Sequence, residues 1–278
     1  NDGTHYSAIS QLIYKLTSEM TSAGYAYKID TDLRPEGVAG VLVMSIAGYQ
    51  HYFKTRARIW EQQAMVRSRV VAGNQEVGEK FMERVHDFVF KDEFEYSALI
   101  EISRMRERME LELAQEKTKG KNVKLGFGGI ADIEFAMQIL QLIHGKKNQH
   151  LRKANTMSAL DMFIAHGMID RIKASQAKVN YLFLRRLECA LRIISETPTN
   201  NLPKEVCDLA QLARLMSYTS NEEDKLANAL LEDYEKQTVQ MRVYYRETIG
   251  QLLRTGPRSF SAEENKNRQL IRSIRTCI

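Results

Sequence analysis

Between Asn221 and Leu253 an apolar residue returns every few positions in a helical rhythm: Leu226, Leu230, Tyr234, Met241, Tyr245, Ile249 and Leu252. A helix this long with a single apolar stripe must bury that stripe against other helices, because helical propensity alone gives it little stability in water. The chain is thereby committed to a helix bundle. The same period predicts further helices at Asn74 to Phe90, Glu95 to Lys117, Ile130 to Ile143, Thr156 to His166, Asp170 to Glu196 and Pro203 to Met216. Residues 74–255 therefore read as an all-α bundle domain. Residues 256–278 are polar, lack a stripe and read as a tail.

The first 73 residues have a different texture. Ala8 to Ala23 carries Ile9, Leu12, Ile13, Leu16 and Met20 at helical spacing, with Gly24 as its C-cap. Tyr25, Tyr27 and Ile29 then alternate with Ala26, Lys28 and Asp30, the period of a half-buried strand. A turn at Pro35-Glu36-Gly37 leads to a second short strand candidate, Val41 to Met44. Ser45 is placed to cap a helix carrying Tyr49, Tyr52, Phe53, Ile59 and Trp60, which runs to Val70 and ends near Gly73. The expected fold class is mainly α: a partial α/β segment over 1–73, then the bundle. Two or three strands cannot bury both faces of a sheet. Either helices cover this one, or the rest of it lies upstream. The chain opens on Asn1 rather than Met, which suits an excised piece of a longer polypeptide or a processed terminus.

Charge narrows the function. Forty basic residues against 35 acidic give a net +5, well mixed along the chain. That balance excludes a strongly basic nucleic-acid scaffold and suits an anionic ligand such as a nucleotide. No long apolar run, signal peptide or lipidation motif is present, so the expectation is a cytoplasmic protein without a membrane partner. Cys189, Cys207 and Cys277 are widely spaced and read as reduced thiols. The six histidines show no zinc-binding spacing, so a metal would be held by oxygen ligands, which favours magnesium or manganese.

Two stretches concentrate chemistry. In "YKIDTDLRPEG", Tyr27 to Gly37, Asp30 and Asp32 lie two apart; on a strand they would point to one face and converge on a metal ion. Solvated acidic residues at a strand end are the plainer explanation of that spacing. Arg34 follows them, and Arg56, Arg58, Arg67 and Arg69 follow in the next helix as candidates for phosphate oxygens. Arg67 and Arg69 cannot share a face of a helix, so at least one of them goes to solvent or an ion pair. In "KLGFGGIADIEF", Lys124 to Phe135, a glycine-rich loop runs into a helix N-terminus, but it is neither a Walker loop nor a dinucleotide fingerprint. Asp132 and Glu134 suit the helix dipole and would repel a phosphate. This stretch reads as a tight loop-to-helix junction whose acids pair with an arginine elsewhere. "FLRRLECALRI", Phe183 to Ile193, reads as core helix with its arginines outward.

Taken in order, "YKIDTDLRPEGVAGVLV", "WEQQAMVRSRVVAGN", "RMRERM", "KLGFGGIADIEFAMQILQL" and "FLRRLE" resemble one family, the bifunctional adenylyltransferase/adenylyl-removing enzymes that act on glutamine synthetase. The resemblance extends from about Tyr25 to Leu253. It implies a nucleotidyltransferase domain, represented over 1–73 by its later part, followed by the helical bundle. Trp60 to Ala64 and Gly37 to Gly40 look closer to the C-terminal, adenylylating half.

In this family two metal carboxylates come from a Gly-Ser-x-x-Asp-x-Asp element and a third from a later strand. By resemblance Asp30 matches the third. Asp32 stands where the family usually has Arg, Cys189 where His is common, and Phe127 and Ala131 where polar or basic residues are frequent. No Gly-Ser-x-x-Asp-x-Asp element occurs in this sequence. The chain is therefore expected to start inside the catalytic domain and to be inactive by itself. The implied cofactor is Mg2+ or Mn2+ with ATP as substrate, held through Asp30 and Asp32, with Arg34 supporting the strand or the phosphates and Arg67 and Arg69 at the nucleotide. The implied partners are glutamine synthetase and the PII signalling protein, with no nucleic acid. Phosphorolytic removal of AMP, and a non-catalytic helical module related to that of the PII uridylyltransferases, are the alternatives.

Overall fold

A computed structural model describes residues 2–22, 24–27, 29–195 and 199–255. The chain divides into two compact units, Asn1–Lys91 and Asp92–Ile278. The proposed tail, 256–278, and Cys277 with it, lie outside the described residues.

The first unit opens with α1 (Asp2–Ser18), which starts and stops earlier than the apolar spacing predicts. Its large apolar side chains face solvent, Leu12 and Leu16 being 55% and 70% exposed. The chain then folds back on the last turn of α1: Tyr27 N–H donates to Thr17 O, and the Ser18 hydroxyl donates to Tyr27 O and accepts from Ile29 N–H. Beyond the turn lie α2 (Ile46–Thr55), α3 (Ile59–Met65) and α4 (Gln75–Val89). Ser45 and Asn74 cap α2 and α4 by accepting the N–H of Gly48 and of Val77. Packing of α4 against α2 and α3 buries Tyr52, Val66, Val85, Phe88 and Val89. Phe53 stacks on Phe88, ring centroids 4.3 Å apart, and the Gln62 amide ties α3 to the end of α4 through the carbonyls of Phe88 and Val89.

Two local expectations fail in this unit. No strand forms at 41–44 or among the described residues of 25–29, although the mainly α class holds. A period-two pattern makes a strand only when a neighbour pairs with it. Among the described residues the β pairing is confined to two isolated bridges, Thr21 with Gly24 and Asn122 with Asn201. The long helix from Ser45 to Val70 also breaks in two. At Arg58 the backbone turns extended, and its N–H is taken by the Glu61 carboxylate, which starts α3 as a separate helix.

In the second unit α5 (Tyr96–Arg108) runs into a π-helical segment, Met109–Ala114, and α6 (Glu116–Lys119) follows, so the single helix expected over 95–117 is interrupted. Next come α7 (Ile130–His144), α8 (Thr156–Ala165), α9 (Arg171–Ile194), α10 (Val206–Leu215) and α11 (Glu223–Thr255). Residues 130–142 of α7 are buried on every face except at Glu134, as befits a central helix, and the burial takes in Asp132, Gln138 and Gln141 along with the apolar residues. Burying Ile130, Ile133, Met137 and Leu140 contributes about 1.5–3 kcal/mol each. The long α11 lies against α7, α9 and α10 and reaches α5, burying Leu226, Leu230, Tyr234, Met241, Tyr245 and Ile249, the stripe read from the sequence.

Candidate functional site

Residues 30–40 of the first unit form a self-contained turn. Asp30 Oδ1 accepts the N–H of Asp32 at 2.9 Å, the geometry of an aspartate opening a turn. The Arg34 guanidinium donates to the carbonyls of Thr31, Val38 and Gly40 at 2.7, 2.8 and 3.0 Å. Glu36 and Gly37 occupy the left-handed region, and a side chain at Gly40 would meet the Pro35 carbonyl at 1.9 Å. Arg34 is thus a tie that closes the loop. Its charge also reaches Tyr49, whose pKa burial raises and Arg34 pulls partly back.

Against this turn lies a cavity of about 320 Å³. Leu33 and Pro35 form one side, Tyr49 and Phe53 of α2 and Met65 of α3 the others, with Arg67 and Ser68 also lining it. Glu61, 7% exposed, reaches it with a fixed carboxylate: Oε1 accepts the Tyr52 hydroxyl at 2.6 Å and Oε2 the Arg58 N–H at 2.7 Å. Burial, then the bond to Glu61, raises the Tyr52 pKa.

The sequence candidates separate on this frame. Asp30, Asp32 and Arg34 share one turn, and Arg67 is exposed and lines the adjoining cavity. Arg69 is exposed on the segment after α3 and does not line it. Because α3 ends at Met65, the two arginines are not on a helix, and the helical argument about their faces does not apply. Asp30 and Asp32 are exposed carboxylates of the right chemistry for magnesium or manganese. They are too few for a complete site: among the described residues no three acidic, His or Cys side chains come together as a metal would need.

The second unit holds a buried ionic cluster that the sequence reading only half foresaw. Asp132, fully buried in the first turn of α7, sits 2.6 Å from Arg106 and 2.9 Å from Arg242. Arg106 Nε donates to Asp132 Oδ1 at 2.8 Å, and its other nitrogens donate to the carbonyls of Leu125 and Gly126 in the glycine-rich loop. Arg242 meets Asp132 as an ion pair without an aligned hydrogen bond, while Glu110 of the π segment accepts from Arg242 and lies 3.4 Å from Arg106. Burial pushes the Asp132 carboxyl above the usual aspartate range, and the two guanidiniums oppose that push. Burial likewise disfavours the Arg242 charge, but Asp132 and Glu110 outweigh it and its pKa is raised. The partner expected for Asp132 is therefore real, and it is a pair. Arg106 continues the Leu99–Ile102 face of α5, and Arg242 the Tyr245–Ile249 face of α11. A charged residue in register with an apolar stripe was the available signal.

Residues 1–84 match the model of the glutamate-ammonia ligase adenylyltransferase family, and residues 101–249 match that of GlnD PII-uridylyltransferase. A bifunctional glutamine synthetase adenylyltransferase/adenylyl-removing enzyme of Stenotrophomonas maltophilia (strain R551-3) is 34% identical over 214 residues, which is 77% of this chain and 23% of that protein. The enzyme of the same name from Hahella chejuensis is 31% identical over 200 residues, 72% of this chain and 21% of its own. The chain belongs to the glutamine synthetase adenylyltransferase family. It spans about a quarter of the length of these curated relatives. The adenylyltransferase match covers α1 to α4 up to residue 84, where the 30–40 turn and its cavity lie. The uridylyltransferase match covers the ionic cluster.

Proposed function

We propose that the chain carries the later part of a nucleotidyltransferase domain (1–73) and the bundle that follows it (74–255). The whole protein transfers AMP from ATP to a tyrosine hydroxyl of glutamine synthetase, and so regulates nitrogen assimilation. The tyrosine oxygen attacks the α-phosphorus, a P–O bond forms, the bond to pyrophosphate breaks, and the hydroxyl proton is lost. Asp30 supplies one carboxylate of a divalent-metal site that other carboxylates must complete, with Asp32 beside it. Arg34 holds the loop that presents Asp30, and Arg67, which lines the adjoining cavity, and Arg69 are assigned to the nucleotide phosphates. The observation that carries the reading is the match of the first unit to the adenylyltransferase model, in the segment that bears Asp30. The match of the second unit to a PII-uridylyltransferase model favours PII as a regulatory partner of the bundle.

The relatives' names cover both directions of AMP chemistry. Trp60 to Ala64 and Gly37 to Gly40 favour the adenylylating direction, and a direct assay separates the two. Supplied with adenylylated glutamine synthetase and phosphate, the whole protein mutated in any other active centre yields little ADP; robust ADP formation overturns the choice of direction. The purified 278-residue chain, mixed with ATP, magnesium and glutamine synthetase, transfers no AMP, since it lacks a Gly-Ser-x-x-Asp-x-Asp element. Metal-dependent labelling by this chain would instead make Asp30 and Asp32 a self-sufficient pair.

A further inference from the structure

We propose that the cavity between the 30–40 turn, α2 and α3 is a base pocket, and that it selects a purine bearing an exocyclic amino group. The choice of a nucleotide as ligand rests on the adenylyltransferase reading; the selection rule rests on the cavity itself. Its volume, about 320 Å³, is at the lower end of small-ligand sites. Its walls suit a flat ring: Tyr49 and Phe53 are aromatic, Leu33, Pro35 and Met65 apolar. Phe53 is braced from behind by its stack on Phe88, so it offers a fixed surface.

Glu61 supplies the selectivity. Among the cavity-lining groups it is a deeply buried carboxylate, and its two oxygens are oriented by the Tyr52 hydroxyl and the Arg58 N–H. Both bonds use the carboxylate as acceptor, and each oxygen has acceptor capacity left over. An amino group on the ring can donate to it. A ring carbonyl in the same place would set oxygen against oxygen, an unpaired arrangement that a buried site rejects strongly. Adenine satisfies this requirement and hypoxanthine does not. Arg67, exposed where it lines the cavity, is placed for the phosphate of such a nucleotide.

The test uses the complete 278-residue chain with AMP, IMP and ribose 5-phosphate as probes, read by calorimetry and by the fluorescence of Trp60, the single tryptophan. AMP should bind saturably, with IMP and ribose 5-phosphate each at least tenfold weaker. Ala64→Leu places a larger side chain in the cavity wall and should abolish AMP binding while the circular dichroism spectrum and melting temperature stay near those of the parent chain. Glu61→Gln should narrow the AMP-to-IMP ratio, because an amide can also donate. Equal binding of AMP and IMP, AMP binding unaltered by Ala64→Leu, or no saturable AMP binding at millimolar concentration would each overturn the pocket. Failure of the transfer reading looks different: an AMP preference lost in Ala64→Leu, in a whole protein that labels no glutamine synthetase, upholds the pocket and removes the reaction.

Discussion

Arg106 has no solvent exposure, so each of its nitrogens must find a partner inside the bundle, and it does so on Asp132, Glu110 and two loop carbonyls. Removing one member of such a cluster strands the others. Arg106→Leu is expected to cost roughly 3–5 kcal/mol in urea unfolding, because Asp132 keeps a buried charge with half its compensation gone. The double variant Arg106→Met/Asp132→Leu should recover much of that loss, since apolar groups of similar bulk replace the pair. A loss below about 1 kcal/mol for the single variant would mean that the cluster is not structural. His144, half-buried at the end of α7, has a pKa lowered first by burial and then by Lys147. Folding therefore favours its neutral form: that stability is present above its ordinary pKa and is lost as pH falls through the lowered one. The melting temperature should drop between pH 7.5 and 5.5, and less steeply in His144→Gln; equal slopes would contradict the assignment.

The glycine-rich loop shows what an element demands that a single residue does not. Gly128 has a φ of +64°, and a side chain there would stand 1.8 Å from the Thr238 carbonyl of α11, so Gly128→Ala must push loop and helix apart. It is expected to lower stability by at least 2 kcal/mol in chemical denaturation. Gly3, in α1 with nothing within 4 Å, is the contrast: Gly3→Ala should be neutral or stabilise by up to about 1 kcal/mol. The helices of the second unit were legible because apolar periodicity survives whenever a helix has one buried side, and α7, α8, α9 and α11 lie close to where the spacing put them. The π segment was not, since Met109 and Leu113 keep the helical spacing while Glu110 is engaged by Arg106 one turn back and by Arg242 from α11, a contact no local spacing encodes. The strands expected at 25–29 and 41–44 rested on a local pattern, and pairing is a non-local requirement. Asp30, Asp32, Arg34 and Arg67 were legible as residues, but the role of Arg34 as a tie across three carbonyls depends on a loop closure that no spacing encodes. The cavity lined by Glu61, Tyr49 and Phe53 went unread, because the Glu61 carboxylate is fixed there only by the Tyr52 and Arg58 donors, which no spacing announces.

At the scale of the molecule, the two units correspond to two different family matches, an adenylyltransferase segment up to residue 84 and a uridylyltransferase-type helical segment from 101 to 249. The first carries the carboxylates, the loop and the cavity; the second buries its charge for stability. On the function proposed above, the chemistry belongs to the first unit and Asp30 is its decisive residue. The direct measurement is transfer of label from α-32P-ATP to glutamine synthetase by the whole protein, compared with its Asp30→Asn variant at equal folding. The variant should lose at least a thousandfold in rate, about 4 kcal/mol of transition-state stabilisation, with its melting temperature unchanged. Transfer by Asp30→Asn at the rate of the parent protein would contradict the assignment of the active site to this turn.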